Sequence, residues 1–518
     1  MKSVSENYLA NLRYDIPASI GVFLVALPLC LGIALASGAP LFSGMIAGMI
    51  GGLVVAWASG SQLSVSGPAA GLTVIVFGAI EALGGFGAFL MSVVLAGVIQ
   101  LALGYAKAGT IGAFFPSSVI KGMLSAIGLI LILKQIPHAT GFDGHLEGDE
   151  SYMGDTASAT IRELLHALKG ISPGATLVSI GALVILFAWE APLIRRHPFL
   201  RMVPAPLLAV IWGVLFNLLA GDLFPALAIS PKHLVTLPPL GSPMEFFQQF
   251  RLPDFSSLGN PAIYKTAVVL AVVASLETLL SIEAVDKLDP HKRVAPTNRE
   301  LKAQGLGNIL SGLIGGLPLT AVIVRSSANI NFGGRTRISC FLHGVLLLLA
   351  VLFLGRQLNQ IPLACLAAIL LQTGYKLAKP SLFRDQFARG WNQFLPFAIT
   401  IVAILAEDLL VGIAIGMAIG LMFVLRSNFH RSISLTRHAS SYLLRLNKDV
   451  SFLNKAYLRK LLSSIGEDSH VTIDGRRAQF VDQDIIETLG DFIMESHGRG
   501  IKVAVEGIVI PDGSSSGH

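Results

Sequence analysis

Gly315-Gly316-Leu317-Pro318-Leu319-Thr320-Ala321-Val322-Ile323-Val324-Arg325 is an apolar stretch of membrane character that ends in a guanidinium. Arginine does not shed its proton. A fixed charge at the centre of a membrane helix costs about 2.5–3.5 kcal/mol on the gentlest scale. A chain that keeps such a charge uses it in a water-filled cavity, where it attracts an anion. The glycines and Pro318 also interrupt what would otherwise be one span. A second interruption occupies the comparable place in the first half of the chain, Leu63-Ser64-Val65-Ser66-Gly67-Pro68-Ala69-Ala70-Gly71. Paired breaks of this kind mark the binding site of a transporter built from two repeats.

The physical reason lies in the helix ends. A half-helix that starts at mid-membrane has unpaired N–H groups and the positive end of its dipole there. Two such ends facing each other make an anion cradle. The expected lining is Ser66, Gly67 and Ala69 from the first break, and Thr320, Ala321 and Ser326 from the second. Arg325 adds a full charge, and Thr73 adds a hydroxyl nearby. The competing arrangement is that Pro68 and Pro318 only kink packed helices.

Composition agrees with a membrane protein. The chain has 518 residues, of which 53% are hydrophobic and 14% charged, and its mean hydropathy is +0.68. A soluble protein carries about 25% charged residues. The formal charge of +6 comes from loops and the C-terminal tail rather than one patch, so nucleic acid is not an expected partner. Cys30, Cys340 and Cys365 lie in or beside apolar runs without CxxC spacing, which gives no disulfide framework and no metal cluster. No cofactor is expected. No nucleophile–base pair or phosphate loop stands at useful spacing, so an enzyme is not expected either.

Near-spanning apolar runs recur and predict about fourteen membrane segments. They cover 15–37, 41–59, 64–81, 86–106, 115–136, 172–190, 201–220, 263–284, 303–316, 319–331, 338–355, 360–376, 393–407 and 409–426. The first run has no small-residue cleavage site behind it and reads as a retained span. With a cytoplasmic N-terminal segment at 1–14, the even-numbered loops face inward. They hold most of the basic residues, among them Lys107, Arg195, Arg196, Arg201, Lys292, Arg335 and Lys379. This places both termini in the cytoplasm and the transporter domain at 15–426 in the plasma membrane, surrounded by lipid.

Glu277 falls near the middle of the eighth span, in Ala274-Ser275-Leu276-Glu277-Thr278-Leu279-Leu280-Ser281. An intramembrane carboxylate is a functional group by default. Ser281 lies one turn later on the same face. The pair suits either Na⁺ ligation or proton carriage; an ion pair between Glu277 and Arg325 is the structural alternative. Glu283 and Asp286 read as solvated interface charges, Lys121 as a snorkelling cation, and Asp15 as the cap of the first helix.

Beyond residue 426 the pattern becomes polar and mixed. Strands are expected at 442–446, 470–474 and 501–505, and amphipathic helices at 457–465 and 484–495. This is a small α/β domain over 427–510, followed by a disordered tail at 511–518.

Four stretches resemble the SulP family of anion transporters, the sulfate-permease family that in animals includes prestin. They are Asp15-Ile16-Pro17-Ala18 through Pro28; Gln62 through Pro68; Asn298-Arg299-Glu300-Leu301 with Gln304-Gly305-Leu306-Gly307-Asn308; and Gly315-Gly316-Leu317-Pro318 through Arg325-Ser326-Ser327. The resemblance implies seven-plus-seven inverted repeats with core and gate domains, elevator-type movement and a homodimer. It implies a substrate site between the third and tenth half-helices, lined by the first and eighth spans. It puts Glu277 at an acidic coupling position, with Ser281 as the hydroxyl of a Na⁺ site. The C-terminal domain resembles a STAS domain. Where STAS domains begin a helix with D-S-S-G, this chain reads Val481-Asp482-Gln483-Asp484-Ile485, with no Ser to accept phosphate.

Residues and resemblance together lead to a secondary transporter of small inorganic anions, bicarbonate or sulfate foremost, coupled to Na⁺ or H⁺. A nucleobase:proton symporter of the same architecture would place an acid rather than Arg325 in the tenth span. An uncoupled anion channel or motor is the third reading.

Overall fold

Runs of Leu, Val, Ile, Ala and Gly fold as helices in the computed structural model because only a helix satisfies each backbone N–H and C=O without water. The structure describes residues 8–110, 116–142, 171–191, 194, 203–224, 227–237, 243–407, 409–438 and 440–509. Contacts divide the chain into two compact units, Met1–Gly416 and Met417–His518.

Each expected span has its element. The first half runs α1 (Tyr8–Ala36), α2 (Leu41–Ala58), β1 (Ser66–Pro68), α3 (Thr73–Ala82), α4 (Phe86–Tyr105), α5 (Ser117–Thr140), α6 (Pro173–Ala188) and α7 (Ala205–Leu223). The second runs α8 (Pro261–Leu288), α9 (Thr297–Ile314), β2 (Leu319–Ala321), α10 (Ile323–Asn331), α11 (Arg337–Phe353), α12 (Leu363–Leu377), α13 (Trp391–Ala406) and α14 (Leu409–Ser432). Of these, α1, α2, α4, α5 and α8 are long and apolar enough to cross a bilayer by length and composition alone. Apolar side chains such as Ile180, Val184, Leu219 and Val402 stand exposed on the helix surfaces, as a lipid-facing surface requires. The expected basic loop residues Arg195, Arg196 and Arg201, most of the 138–160 loop and the tail at 511–518 lie outside the described residues.

The same neighbours recur seven segments later. Helix α4 packs on α8 and α9, and α11 packs on α1 and α2. Helix α5 packs on α13, and α12 packs on α6. Glycine allows the closest approach at equivalent places in both halves. A Cβ on Gly97 of α4 would stand 2.6 Å from the Gly305 carbonyl oxygen of α9, and one on Gly344 of α11 would stand 2.8 Å from the Gly52 Cα of α2. The fold is therefore a seven-plus-seven repeat. Its two interrupted segments meet as an antiparallel strand pair, with Gly67 opposite Thr320 at the centre.

Two helices start earlier than the sequence suggested. Helix α1 begins at Tyr8 rather than 15, and α9 at Thr297 rather than 303, because polar first turns extend them beyond the apolar run. Asp15 consequently lies inside α1 and does not cap it. Its carboxylate accepts from the Arg335 and Thr336 amides at 2.7 and 3.1 Å and from the Thr336 hydroxyl at 2.5 Å. It fixes the start of α11 instead.

The second unit has its own core. After α14, β3 (Ile433–His438), β4 (Ser441–Leu446), β5 (His470–Asp474) and β6 (Lys502–Glu506) form one sheet in that order. The β3–β4 pair is antiparallel, and the β4–β5 and β5–β6 pairs are parallel. Helices α15 (Lys455–Ser463) and α16 (Gln483–Gly498) supply Leu458, Ile485 and Leu489 to a core with Leu444 and Ile473. Strand β3 was not expected. Only Ile433 and Leu435 face its core, so it carries too short an alternation to be read. Asp482 caps α16 by accepting from the Asp484 amide at 3.1 Å, which is how the helix starts without the D-S-S-G sequence.

Candidate functional site

Side chains from the surrounding helices fix the strand crossing at the membrane unit's centre. Asn308 of α9 acts as a clamp. Its Oδ1 accepts from Leu319 N at 2.7 Å, and its Nδ2 donates to Leu319 O at 3.1 Å and Gln100 Oε1 at 2.6 Å. Gln100 in turn donates to Ser275 Oγ at 3.3 Å. Gln304 donates to Ser66 Oγ at 2.7 Å and to Glu300 Oε1 at 2.9 Å. Thr278 of α8 accepts from Ala321 N at 3.3 Å. The backbone of the second break is thus paired by amide and hydroxyl side chains, as buried irregular backbone demands.

The half-helix ends have the expected polarity. In α10 the first closing bond is Ser326 N to Val322 O at 3.1 Å. The amides of Ile323, Val324 and Arg325 therefore have no partner within the helix. On the other side a 3-10 turn, Ala70–Leu72, leads into α3. Ala70, Val322 and Ile323 are partly accessible and Val324 is exposed, while Gly71, Leu72 and Thr73 at the α3 end are buried.

Glu277 of α8 reaches the α3 end. Its carboxylate lies against the Gly71 backbone. A Cβ on Gly71 would stand 2.8 Å from Oε1 and 2.9 Å from Oε2. Oε2 itself has no hydrogen-bond partner. A negative group thus already occupies one of the two amide ends. Ser281 is buried one turn along α8.

Arg325 is placed differently from the sequence reading. It is 0% exposed and turned into the protein. Its Nη2 donates to Pro68 O at 3.4 Å, while Nε and Nη1 have no partner. Nη1 lies against Gly67, where a Cβ would collide with it, and the guanidinium also contacts the Cys30 thiol of α1. No ion pair joins it to Glu277, which removes the structural alternative considered above. The charge sits behind the strand pair.

Of the other expected lining residues, Ser66, Gly67, Thr320 and Ala321 form the strands themselves and Ala69 follows β1; all are buried. Ser326 is a tie between the breaks. Its hydroxyl accepts from Val65 N at 2.9 Å and donates to Val322 O at 2.7 Å, which leaves it no donor for an anion. Sequence reasoning missed the supporting roles of Thr278, Gln100 and Asn308. Their signal was present as polar side chains in apolar spans. Among the described residues, no cluster of three or more His, Cys, Asp or Glu could hold a metal ion.

Comparison with known proteins bears on the fold and the family. The bicarbonate transporter BicA of Picosynechococcus is 27% identical over 425 residues, which is 80% of this chain and 70% of that protein. The sodium-independent sulfate anion transporter of Bos taurus is 23% identical over 532 residues, 96% of this chain and 84% of that one. The solved transmembrane domain of a cyanobacterial BicA superposes with TM-score 0.65 at 24% identity, covering 79% of this chain and 97% of that one. SLC26A9 superposes with TM-score 0.77 at 15% identity over 96% of this chain and 84% of that one. These likenesses show the fold. The Sulfate permease family model matches residues 12–403. The chain is therefore a multi-pass membrane carrier rather than an enzyme, and it belongs to the sulfate permease family.

Proposed function

We propose that this chain carries a small oxyanion, bicarbonate or sulfate, across the plasma membrane together with a cation bound at Glu277. The observation that carries the reading is the position of that carboxylate at the amide end of α3. An ionised Glu277 repels an anion from the same end. A proton or Na⁺ on Glu277, with Ser281 as a second oxygen, removes the repulsion. Anion and cation then favour each other's binding, which is the condition for symport. Inward movement of a lone anion is opposed by about 2.3 kcal/mol per charge per 100 mV; a co-bound cation offsets this. Buried Arg325 supplies a permanent positive field behind the site. The anion is held by the amide ends of α3 and α10.

The similar proteins include a bicarbonate transporter and a sodium-independent sulfate transporter, so neither anion nor coupling ion follows from likeness. Alternating access by movement of the strand-pair core against α5–α7 and α12–α14 fits the repeat, with a homodimer, cytoplasmic termini and a structural or dimerising role for the C-terminal domain. The test is uptake of labelled bicarbonate and sulfate into proteoliposomes, with imposed Na⁺ or proton gradients. Uptake driven by one gradient in the wild type and lost in Glu277→Gln supports the proposal. Gradient-dependent uptake that survives this change refutes the coupling role.

A further inference from the structure

Strand β6 is the last strand of the C-terminal sheet and pairs with β5 on one side. Among the described residues no strand covers its other side. Four of its five residues are exposed, and Val503 is partly buried. The middle of the strand, Val503-Ala504-Val505, has no charge, proline or bulge. Those are the usual devices that keep an open edge from pairing.

The ends of the strand show which way its backbone groups point. Lys502 N donates to Ser469 O at 2.9 Å, and Glu506 O accepts from Gly475 N at 2.8 Å. Both end residues therefore turn their backbone toward β5. Alternation turns Ala504 the same way and leaves the N–H and C=O groups of Val503 and Val505 directed outward. The side chains alternate between the faces of the sheet as well. Val503 packs on the face that holds Leu444 and Ile473. Val505 lies beside Ile473 in register and is 37% exposed at the rim of that core. Lys502, Ala504 and Glu506 lie on the opposite face, where Glu506 pairs with Arg476 at 2.9 Å. Lys502-Val503-Ala504-Val505-Glu506 is thus symmetric about Ala504 in its apolar residues and carries opposite charges at its two ends.

We infer that β6 is the surface by which a second copy of this chain docks: two β6 strands pair antiparallel about a two-fold axis at Ala504 and join the two sheets into one. This register sets Lys502 opposite the partner's Glu506 and Val503 opposite the partner's Val505. The outward valines then meet as hydrogen-bonded pairs, each exchanging both backbone bonds. Ala504 meets the partner's Ala504 as a non-hydrogen-bonded pair, where Cα atoms approach to about 4.5 Å and a small side chain fits. Val505 gains cover from the partner's Val503 on the core face. The end charges select direction and register rather than add much affinity, because exposed ion pairs contribute little. A parallel pairing sets like charges side by side, and a shifted one separates Lys502 from the partner's Glu506. The inference rests on the homodimer reading and names the surface that serves it.

The experiment is disulfide trapping in the full chain under a mild oxidant, in membranes and in detergent. Cys30, Cys340 and Cys365 are buried, so the wild type is the blank. Ala504→Cys is expected to give a covalent dimer on a non-reducing gel, since about 4.5 Å across the axis is within disulfide reach. Lys502→Cys and Glu506→Cys are each expected to give none alone, because each lies about 14 Å from its own counterpart. Expressed together, those two are expected to cross-link with each other. Absence of the Ala504→Cys dimer from a chain whose mass by light scattering is dimeric overturns the edge pairing and leaves the homodimer standing. Equal trapping at 502, 504 and 506 overturns it too, because that is random collision. If the wild-type chain is monomeric by light scattering in detergent and by single-molecule photobleaching in membranes, the homodimer reading itself fails, and this inference with it.

Discussion

The Glu277 carboxylate lies over Gly71 so closely that an added Cβ there would stand within 3 Å of both its oxygens. One carboxylate thereby meets the amide end of a broken helix from another repeat. The arrangement joins a buried carboxylate to a helix amide end, with no ion pair between Glu277 and Arg325.

Gly71→Ala tests that contact. The new methyl group pushes on the far end of a flexible side chain, so the fold is expected to survive. Glu277 loses its place over the amide, and the dependence of uptake on the driving cation shifts to at least about tenfold higher concentration, or about 1.4 kcal/mol. A titration of uptake against Na⁺ or proton concentration reads this out. An unchanged curve would show that the contact has no part in coupling.

Arg325→Met removes a sealed charge and keeps a long side chain. Desolvation of the guanidinium disappears with it, so thermal stability in detergent should hold or rise. Anion affinity should fall at least about tenfold, because the field behind the strand pair is gone. Equilibrium binding of sulfate or bicarbonate provides the measurement; full affinity in the folded variant would rule out the field.

Asn308→Leu should destabilise the membrane unit without touching a solute. It leaves Leu319 N and O and Gln100 Oε1 unpaired in a buried place. Each orphaned group costs about 1–3 kcal/mol. A clear drop in thermal unfolding temperature is expected, with transport lost in proportion to folded protein. A melting temperature equal to wild type would count against the clamp.

The C-terminal unit has a pH-sensitive tie. Arg476 and then Arg445 hydrogen-bond Asp474 and hold its carboxyl down to about 2. A carboxylate depressed in the folded state adds stability above its unfolded value of about 3.9, and that contribution is lost as pH falls toward 2. Hydrogen exchange of β4 and β5 should be faster in Asp474→Asn than in wild type at neutral pH. The gap should close between about pH 4 and pH 2. A gap independent of pH would point to packing rather than charge.

Much of this architecture is visible in the order of residues. The fourteen segments follow from hydropathy, because an apolar run in lipid has no option but a helix. Gly67-Pro68 and Gly316-Leu317-Pro318 announce broken segments, since such residues do not continue a span. Their pairing as β1 and β2 is not visible, because three residues at each break carry no strand period. Asp15 shows the same limit. Nothing local tells that its carboxylate caps a helix more than three hundred residues away.

By itself, then, the sequence determined which segments lie in the membrane, where two of them break, and which charges are held at that depth. Those are properties of single residues and short runs against the bilayer. Only the tertiary structure decided where the charges point. It turned Arg325 behind the strand pair, brought Glu277 to Gly71, and tied Ser326 to Val65 across the crossing. Direction and pairing come from contacts between distant segments, and a one-dimensional pattern holds no record of which side of a helix end its partner approaches.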